Sequence, residues 1–585
     1  MKQFFKFVLA NIVGNIIIVF VLFFFFIGAI AGLAAFGSDE LRVKEKSILE
    51  ITMDYDMPDR EMTGAFPSFS GTQTLGLNAA MGAIKRAKTD PKIHGIFLNL
   101  TMENPAGLAT LQELRQAIED FKESGKFVWA YSDGYSQTGY YLASVADKVY
   151  IHNEGLFDFR GLSSQIMFLK GTLEKLGVEM QIIRHGKFKS AIEPFVNEKM
   201  SPESREQTQR YLNGLWNTMV ADIAESRDIS VKELNRIANN MLAMYPADAQ
   251  KLNMVDGVLS HNEMLQLLAD AVEEERIDKL EFVNFRRYAR SPVQTSRRDR
   301  PSKNRIAVIY AQGDITMGRG AAYTIGSQNI SRAIRKAAND DKIKAIVLRV
   351  NSPGGSALAS DIILQEVIAA KAKKPVVASF GRYAASGGYY IACGANMIFA
   401  QPTTITGSIG VYGTIPNAKK LLNDKLGVTF DEVSTNTNAD FLRLSRPMTS
   451  FEREKMQAWI EQTYNTFITH VAEGRNLTKA HVDSIGQGRV WNGIDAKAIG
   501  LVDELGGLKE ALEKAAELAQ IEDYRVVNFP RERDQFEQLL ELLGGVKART
   551  VKSEMGEWYP MYEFVKSIPS KPAVMARKPY IEEIR

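Results

Sequence analysis

Ala83-Ile84-Lys85-Arg86-Ala87-Lys88-Thr89-Asp90-Pro91-Lys92-Ile93-His94-Gly95-Ile96-Phe97-Leu98 returns 250 residues later as Ala333-Ile334-Arg335-Lys336-Ala337-Ala338-Asn339-Asp340-Asp341-Lys342-Ile343-Lys344-Ala345-Ile346-Val347-Leu348, with eight of sixteen positions identical. Each copy runs from apolar residues at helical spacing, through a turn at the aspartate, into a continuously apolar stretch that suits a strand buried on both faces. A second echo lies further on, where Gly139-Tyr140-Tyr141-Leu142-Ala143 mirrors Gly388-Tyr389-Tyr390-Ile391-Ala392 at an offset of 249. One domain has been duplicated.

Around the repeat the same order extends outward. Ser47-Ile48-Leu49-Glu50-Ile51 reads as a strand, residues 77–88 as a helix, 92–100 as a strand, 108–124 as a helix and 126–130 as a strand. This alternation predicts an α/β fold with mostly parallel pairing. Both halves then enter long helical segments at Met200-Ser201-Pro202-Glu203 and Met448-Thr449-Ser450-Phe451, where Ser201 and Thr449 are expected to be N-caps.

The chain has 585 residues, enough for two or more domains. Its 72 basic and 69 acidic residues nearly balance, so the global charge gives no reason to expect a nucleic-acid partner. The single cysteine, Cys393, excludes an intrachain disulfide framework and any Cys-rich metal site. It is expected in the core, within an apolar helix after Ser386.

Residues 7–38 contain no charge and 20–27 are continuously apolar, a stretch long enough to span a bilayer. Lys2 and Lys6 precede it, and Asp39 and Glu40 follow it. The positive-inside rule then places residues 1–6 in the cytoplasm, an anchor at 7–37, and the remaining chain on the extracytoplasmic side. A cleaved signal peptide is the competing reading, because residues 31–35 are rich in small side chains; the apolar stretch is longer than a usual signal h-region. The expected units are a first domain at 38–285, a basic, Ser- and Pro-containing linker at 286–304, a second domain at 305–530, and a tail at 531–585 with a helical patch at 536–543.

Each half serves as a control for the other. The second half carries Asn351-Ser352-Pro353-Gly354-Gly355-Ser356 after a strand, where the first has Asn104-Pro105-Ala106-Gly107. A glycine pair in that place frees backbone N–H groups to point at an anion. After the strand Pro375-Val376-Val377-Ala378-Ser379-Phe380 the second half has Ala384-Ala385-Ser386-Gly387-Gly388, which suits a strand, a turn and a helix N-terminus that presents the Ser386 hydroxyl. Its counterpart, Ser136-Gln137-Thr138-Gly139, has Gln or Thr where Ser386 should stand. Thr406-Gly407-Ser408-Ile409-Gly410 lies opposite Asp158-Phe159-Arg160-Gly161, with Phe159 in place of Ser408. Conversely, the first half has Gly186-Lys187-Phe188-Lys189-Ser190-Ala191-Ile192-Glu193-Pro194-Phe195, and the matching Ser434-Thr435-Asn436-Thr437-Asn438-Ala439-Asp440 has no lysine.

A Ser-Lys dyad split between domains would leave that division behind. Lysine is a base only when neutral, so its pKa must fall by about three units, roughly 4 kcal/mol of bias, to act near neutrality. Burial at an interface between the halves supplies such a bias. The six histidines are scattered, and no Ser-His-Asp grouping is identifiable from their order.

Together these motifs resemble the signal peptide peptidase A (protease IV) family in its long, 67 kDa-type form, peptidase family S49 of the ClpP/crotonase superfamily, over essentially the whole chain. The resemblance implies tandem ClpP/crotonase-like α/β domains after an N-terminal transmembrane helix. It makes Ser386 the nucleophile, Lys189 the general base and Ser408 the hydroxyl that orients the lysine. Gly354 or Gly355, with the N–H of Gly387, would form the oxyanion hole. Lys187-Phe188 stands where the family motif often has Arg-Tyr, which leaves Lys187 as a neighbouring candidate base. The resemblance further implies a serine endopeptidase of the bacterial inner membrane that degrades cleaved signal peptides, assembled as a homotetramer, with no metal or nucleotide cofactor. Acyl-CoA chemistry, known in the same superfamily, would need a CoA phosphate site that the sequence does not offer. A non-catalytic scaffold would leave the reciprocal loss of serine and lysine unexplained.

Overall fold

The computed structural model describes residues 41–61, 74–291, 302–321 and 323–530, a few single positions between 6 and 24, and the backbone of two short strands, Met575–Arg577 and Glu583–Ile584. Apart from those single positions, the expected membrane span at 7–37 lies outside the described residues, as does the helical patch at 536–543. Among the described residues, no helix is long and apolar enough to cross a membrane.

Two parallel sheets repeat each other strand for strand. The first runs Gly257–Val258, Lys148–Ile151, Phe127–Ser132, Ile93–Leu100, Ser47–Ile51, Phe282–Asn284. The second repeats it as Glu504–Leu505, Met397–Ala400, Val376–Ala385, Ile343–Ser352, Arg305–Gln312, Arg525–Phe529. The expected helices and strands of the first half form within two residues of their predicted bounds, as Leu77–Thr89, Ile93–Leu100, Leu108–Lys122 and Phe127–Ser132. A parallel sheet is covered on both faces, which is why its strands read as unbroken apolar runs. Along Ile343–Ser352, Ile346, Leu348 and Val350 pack under the helices Ser327–Asn339 and Ala357–Lys371, while Ala345 and Val347 face the helix Leu508–Leu518. Each such buried branched side chain contributes about 1.5–3 kcal/mol by leaving water.

The long helices are also copies. Pro202–Arg227 and Ser450–Arg475 both have 26 residues, are capped by Ser201 and Thr449 as the sequence predicts, and end in left-handed residues, Asp228 and Asn476. Two expectations need correction. The first half does not stop at residue 285, because Phe285–Arg290 is a helix whose Phe285 and Tyr288 are buried in the first core; the connecting run therefore begins after Arg290. Cys393 is fully buried as expected, but the helix after Ser386 ends at Tyr390 and the cysteine sits in the following turn.

Beyond the shared plan, the second half extends Val376–Ala385 with Ile405–Gly407 and the antiparallel Val490–Asn492. A separate sheet follows the order Thr324–Gly326, Asp314–Thr316, Gly354–Ser356, Met575–Arg577, Val411–Asn417, Glu179–His185. Its last pair crosses between the halves, with seven residues of Glu179–His185 antiparallel to Val411–Asn417. Buried charge closes the same boundary. Arg349 of the second half donates to Asp59 (2.8 Å) and Glu113 (2.5 Å) of the first and to Ser379 (2.8 Å), and Glu113 also accepts from the Leu508 N–H at 2.9 Å.

Candidate active site

Three side chains from distant parts of the sequence meet where the halves join. Lys189 Nζ lies 2.8 Å from Ser386 Oγ, 3.0 Å from Ser408 Oγ and 3.0 Å from the Ser408 carbonyl. All three residues have 0% exposure. Burial alone pushes the Lys189 amine well below its ordinary value of 10.5, and among the described residues no carboxylate opposes the shift. A neutral amine has two N–H groups and one lone pair, and three partners are in reach. The two N–H groups can donate to Ser408, which leaves the lone pair for the Ser386 hydroxyl proton.

Each element that delivers these groups has a local reason to end where it does. Val376–Ala385 runs straight into Ser386, whose φ of 57° and ψ of −116° are strained for a residue with a Cβ. Ser386 is held there by its N–H to the Gly407 carbonyl (2.8 Å), and the backbone turns at once into the helix Gly387–Tyr390. Gly387 opens that helix, so its N–H has no acceptor within it. Gly388 permits the close approach to the preceding strand, since a Cβ there would lie 2.6 Å from the Ser352 carbonyl oxygen. Ser408, also left-handed at φ 51°, is fixed through its N–H to the Arg489 carbonyl at 2.6 Å.

The lysine arrives from Glu179–His185, the strand paired across the halves, through Gly186 to Ser190. Lys187 in this loop is exposed, so burial distinguishes the two candidate lysines. Gly354 and Gly355 form the strand Gly354–Ser356, which packs beside the helix Gly387–Tyr390. The Gly354 N–H is already donated to Ser352 Oγ at 3.1 Å. A Cβ on Gly355 would strike the Ile315 carbonyl oxygen at 2.1 Å, so only glycine fits there.

Two contributors were not found from the sequence. Gln207, 1% exposed on the helix Pro202–Arg227, donates to the Phe188 carbonyl (3.0 Å) and to Ser190 Oγ (2.8 Å), and accepts from the Val490 N–H (3.2 Å). It thereby grips both neighbours of Lys189 and ties them to the strand beside Ile405–Gly407. Gly488, at φ 82°, lets the chain pass so close to Lys189 that a Cβ would lie 2.7 Å from the lysine Cβ. Gln207 carried no signal because a glutamine in an amphipathic helix is ordinary. Among the described residues, no group of His, Cys, Asp or Glu is arranged to hold a metal ion.

The model of "Peptidase family S49" matches residues 120–275 and 368–522, and that of "ClpP-like SDH-type serine proteinase" matches 283–423. The chain is 40% identical over 461 residues to Protease 4 of Haemophilus influenzae, covering 76% of this chain and 74% of that protein. It is 36% identical over 503 residues to Protease 4 of Salmonella typhi, covering 84% and 79% respectively. It is 29% identical over 516 residues to the chloroplastic serine protease SPPA of Arabidopsis thaliana, covering 87% and 75%.

Proposed function

We propose, from the premise that the chain belongs to peptidase family S49 and is a serine peptidase of the long protease 4 type, that Ser386 is its nucleophile, Lys189 its general base and cleaved signal peptides its substrates. The observation that carries the reading is the 2.8 Å contact between a fully buried, unpaired amine and a hydroxyl on a strained turn. In the first step the Ser386 Oγ attacks a peptide carbonyl while its proton passes to neutral Lys189. The amides of Gly355 and Gly387 hold the oxyanion, since that of Gly354 is engaged by Ser352. The ammonium so formed gives its proton to the departing amine, the C–N bond breaks, and an acyl ester remains on Ser386. Lys189, neutral again, takes a proton from water; the hydroxide adds to the ester and Ser386 leaves with that proton. Ser408 keeps the amine aimed throughout.

Signal peptides as substrates follow from the family resemblance and from the uncharged residues 7–38, which would tether the enzyme beside membrane-borne peptides at the bacterial inner membrane. Assembly into a homotetramer is supported by exposed apolar side chains concentrated at 426–444, among them Leu426, Val428, Phe430 and the 99% exposed Val433.

Hydrolysis of an apolar peptide ester by the wild type and by Ser386→Ala, Lys189→Ala and Ser408→Ala tests the assignment. The first two variants are expected to be inactive and the third strongly impaired. Full activity in Ser386→Ala with none in Ser408→Ala would exchange the two serines, and equal activity in all would remove the dyad.

A further inference from the structure

One turn, from Gly486 to Arg489, is bonded to two of the three segments that build the site. The Gln487 carbonyl accepts the N–H of Phe188, the residue before Lys189, at 2.9 Å. The Gly488 N–H donates to the Ile409 carbonyl at 2.7 Å, and the Arg489 carbonyl accepts the Ser408 N–H at 2.6 Å. Packing is as close as bonding. A Cβ on Gly186 would lie 2.4 Å from the Gln487 carbonyl oxygen, and one on Gly488 would lie 2.7 Å from the Lys189 Cβ. Any displacement of this turn must move Lys189, Ser408 or both.

Gln487 sits at φ 52°, in the left-handed region that a residue with a Cβ keeps only where its surroundings hold it. Two side chains do so. Tyr464, 2% exposed on the helix Ser450–Arg475, accepts the Gln487 N–H at 3.3 Å and donates to Asp483 Oδ1 at 2.6 Å. Asp483, on the helix Lys479–Ile485, accepts the Gln487 side-chain amide on the same oxygen at 2.5 Å. Burial, and then the Asp483 carboxylate, pushes the Tyr464 phenol up, so the hydroxyl keeps its proton and stays a donor. The Tyr464 ring stacks on His185 at 3.9 Å, where the strand Glu179–His185 gives way to the lysine loop.

The first repeat has the same bond between helices without the reach to a turn. Trp216 and Asn235 stand 248 positions before Tyr464 and Asp483, as Ser201 stands before Thr449, and Trp216 Nε1 donates to Asn235 at 2.9 Å. An indole N–H only donates, so it cannot receive the amide of a following turn. The Trp216 ring packs instead 5.3 Å from Phe159, the residue in the place of Ser408. Phenol and carboxylate occur together in the repeat that keeps the serine.

We infer that Tyr464 and Asp483 are positioning residues for the peptidase reaction: they fix Gln487, and through its turn the place of Lys189 relative to Ser408. The inference rests on the dyad reading for its effect on rate; the hold on Lys189 stands without it.

Tyr464→Phe removes one hydroxyl and leaves the ring in its place. With the apolar peptide ester, kcat is expected to fall about 10- to 100-fold at unchanged KM, as a small misplacement of a reacting group does. Activity rises with pH as Lys189 loses its proton. Water admitted beside a loosened Lys189 favours the ammonium, so that rising limb should move to higher pH by about half a unit or more. Asp483→Leu should behave like Tyr464→Phe, and Asp483→Asn, which keeps an oxygen acceptor, should stay within about threefold of the wild type. Asn235→Ala breaks the matching bond of the first repeat and should leave both kcat and the limb in place. A limb that does not move in Tyr464→Phe, or an equal loss of kcat in Asn235→Ala, overturns the inference. A second measurement needs no catalysis. In urea unfolding at pH 7, the gain in midpoint from Lys189→Met should be smaller in the Tyr464→Phe background than in the wild type, and additive shifts overturn the inference. If Ser386→Ala is as active as the wild type, the dyad reading fails and the unfolding midpoints alone decide this one.

Discussion

Ser136 and Ser386 are each the last residue before the short helix of their repeat, one place apart when the Gly139 and Gly388 echoes are aligned, and they do opposite things. Ser136 has an ordinary φ of −75°, and its hydroxyl turns back to accept the Gly139 N–H at 3.1 Å. Ser386 has φ 57°, and its side chain makes no cap to its helix. The neighbouring positions complete the contrast. Gln137 Oε1 accepts from the Arg160 and Gly161 N–H groups at 3.0 and 2.7 Å, and Phe159 packs its ring 6.0 Å from Tyr140 and 5.3 Å from Trp216. The first repeat has filled the place that the second keeps for Lys189 and Ser408. A helix N-terminus either satisfies its own amides or offers them to a ligand, and each copy has settled on one of these.

The largest effect expected from this contrast is the pair Ser386→Ala and Ser136→Ala. The first should lower kcat/KM by about 10⁴-fold or more, as loss of a nucleophile does. The second should leave kcat within twofold while costing about 1 kcal/mol in chemical denaturation, the usual worth of an N-cap. A catalytic defect in Ser136→Ala would erase the asymmetry.

Arg349→Met comes next. It leaves Asp59 and Glu113 facing each other in the buried boundary without their cation, which should cost about 3–5 kcal/mol of stability. A midpoint of urea unfolding equal to that of the wild type would show that the boundary does not depend on this network.

Lys189→Met should stabilise the protein at neutral pH, and the sign follows from burial. The folded state lowers the lysine pKa well below 10.5, so between the folded value and 10.5 the unfolded chain binds a proton that the folded one does not. That cost is full below the folded pKa, shrinks as pH rises through the window and vanishes above 10.5. The variant's advantage in urea should therefore be clear at pH 7 and lost by about pH 11. A pH-independent difference would mean that the amine is charged in place.

The smallest effect concerns Gln207→Leu. Loss of its hold on Phe188 and Ser190 should lower kcat by about tenfold at unchanged KM and shift the alkaline-going limb of the pH–rate profile, whereas general destabilisation would leave the profile in place.

The fold was legible because duplication made the apolar runs testable against each other: Ile93–Leu100 and Ile343–Ser352 are both central strands, and Ser201 and Thr449 are both caps. Ser386, Ser408 and Lys189 were legible for the related reason that each lacks its counterpart in the other repeat. What the sequence did not disclose depends on pairing over long separations. Arg349 meets partners 290 and 236 positions away, and an arginine in an apolar strand does not announce which acids will bury with it. Met575–Arg577 is likewise a strand only because two open edges receive it. Residues 286–290 read as the start of a linker because their arginines masked Tyr288, which faces the core beside Phe285.

The seven-residue ladder between Glu179–His185 and Val411–Asn417 also bears on how the protein is made. During synthesis Lys189 emerges about two hundred residues before Ser386, and the ladder that sets their distance needs residues up to 417. With the proposed dyad, a nascent chain of any shorter length is inert, and proteolytic competence is switched on in one event, the docking of the second half, rather than growing with the chain.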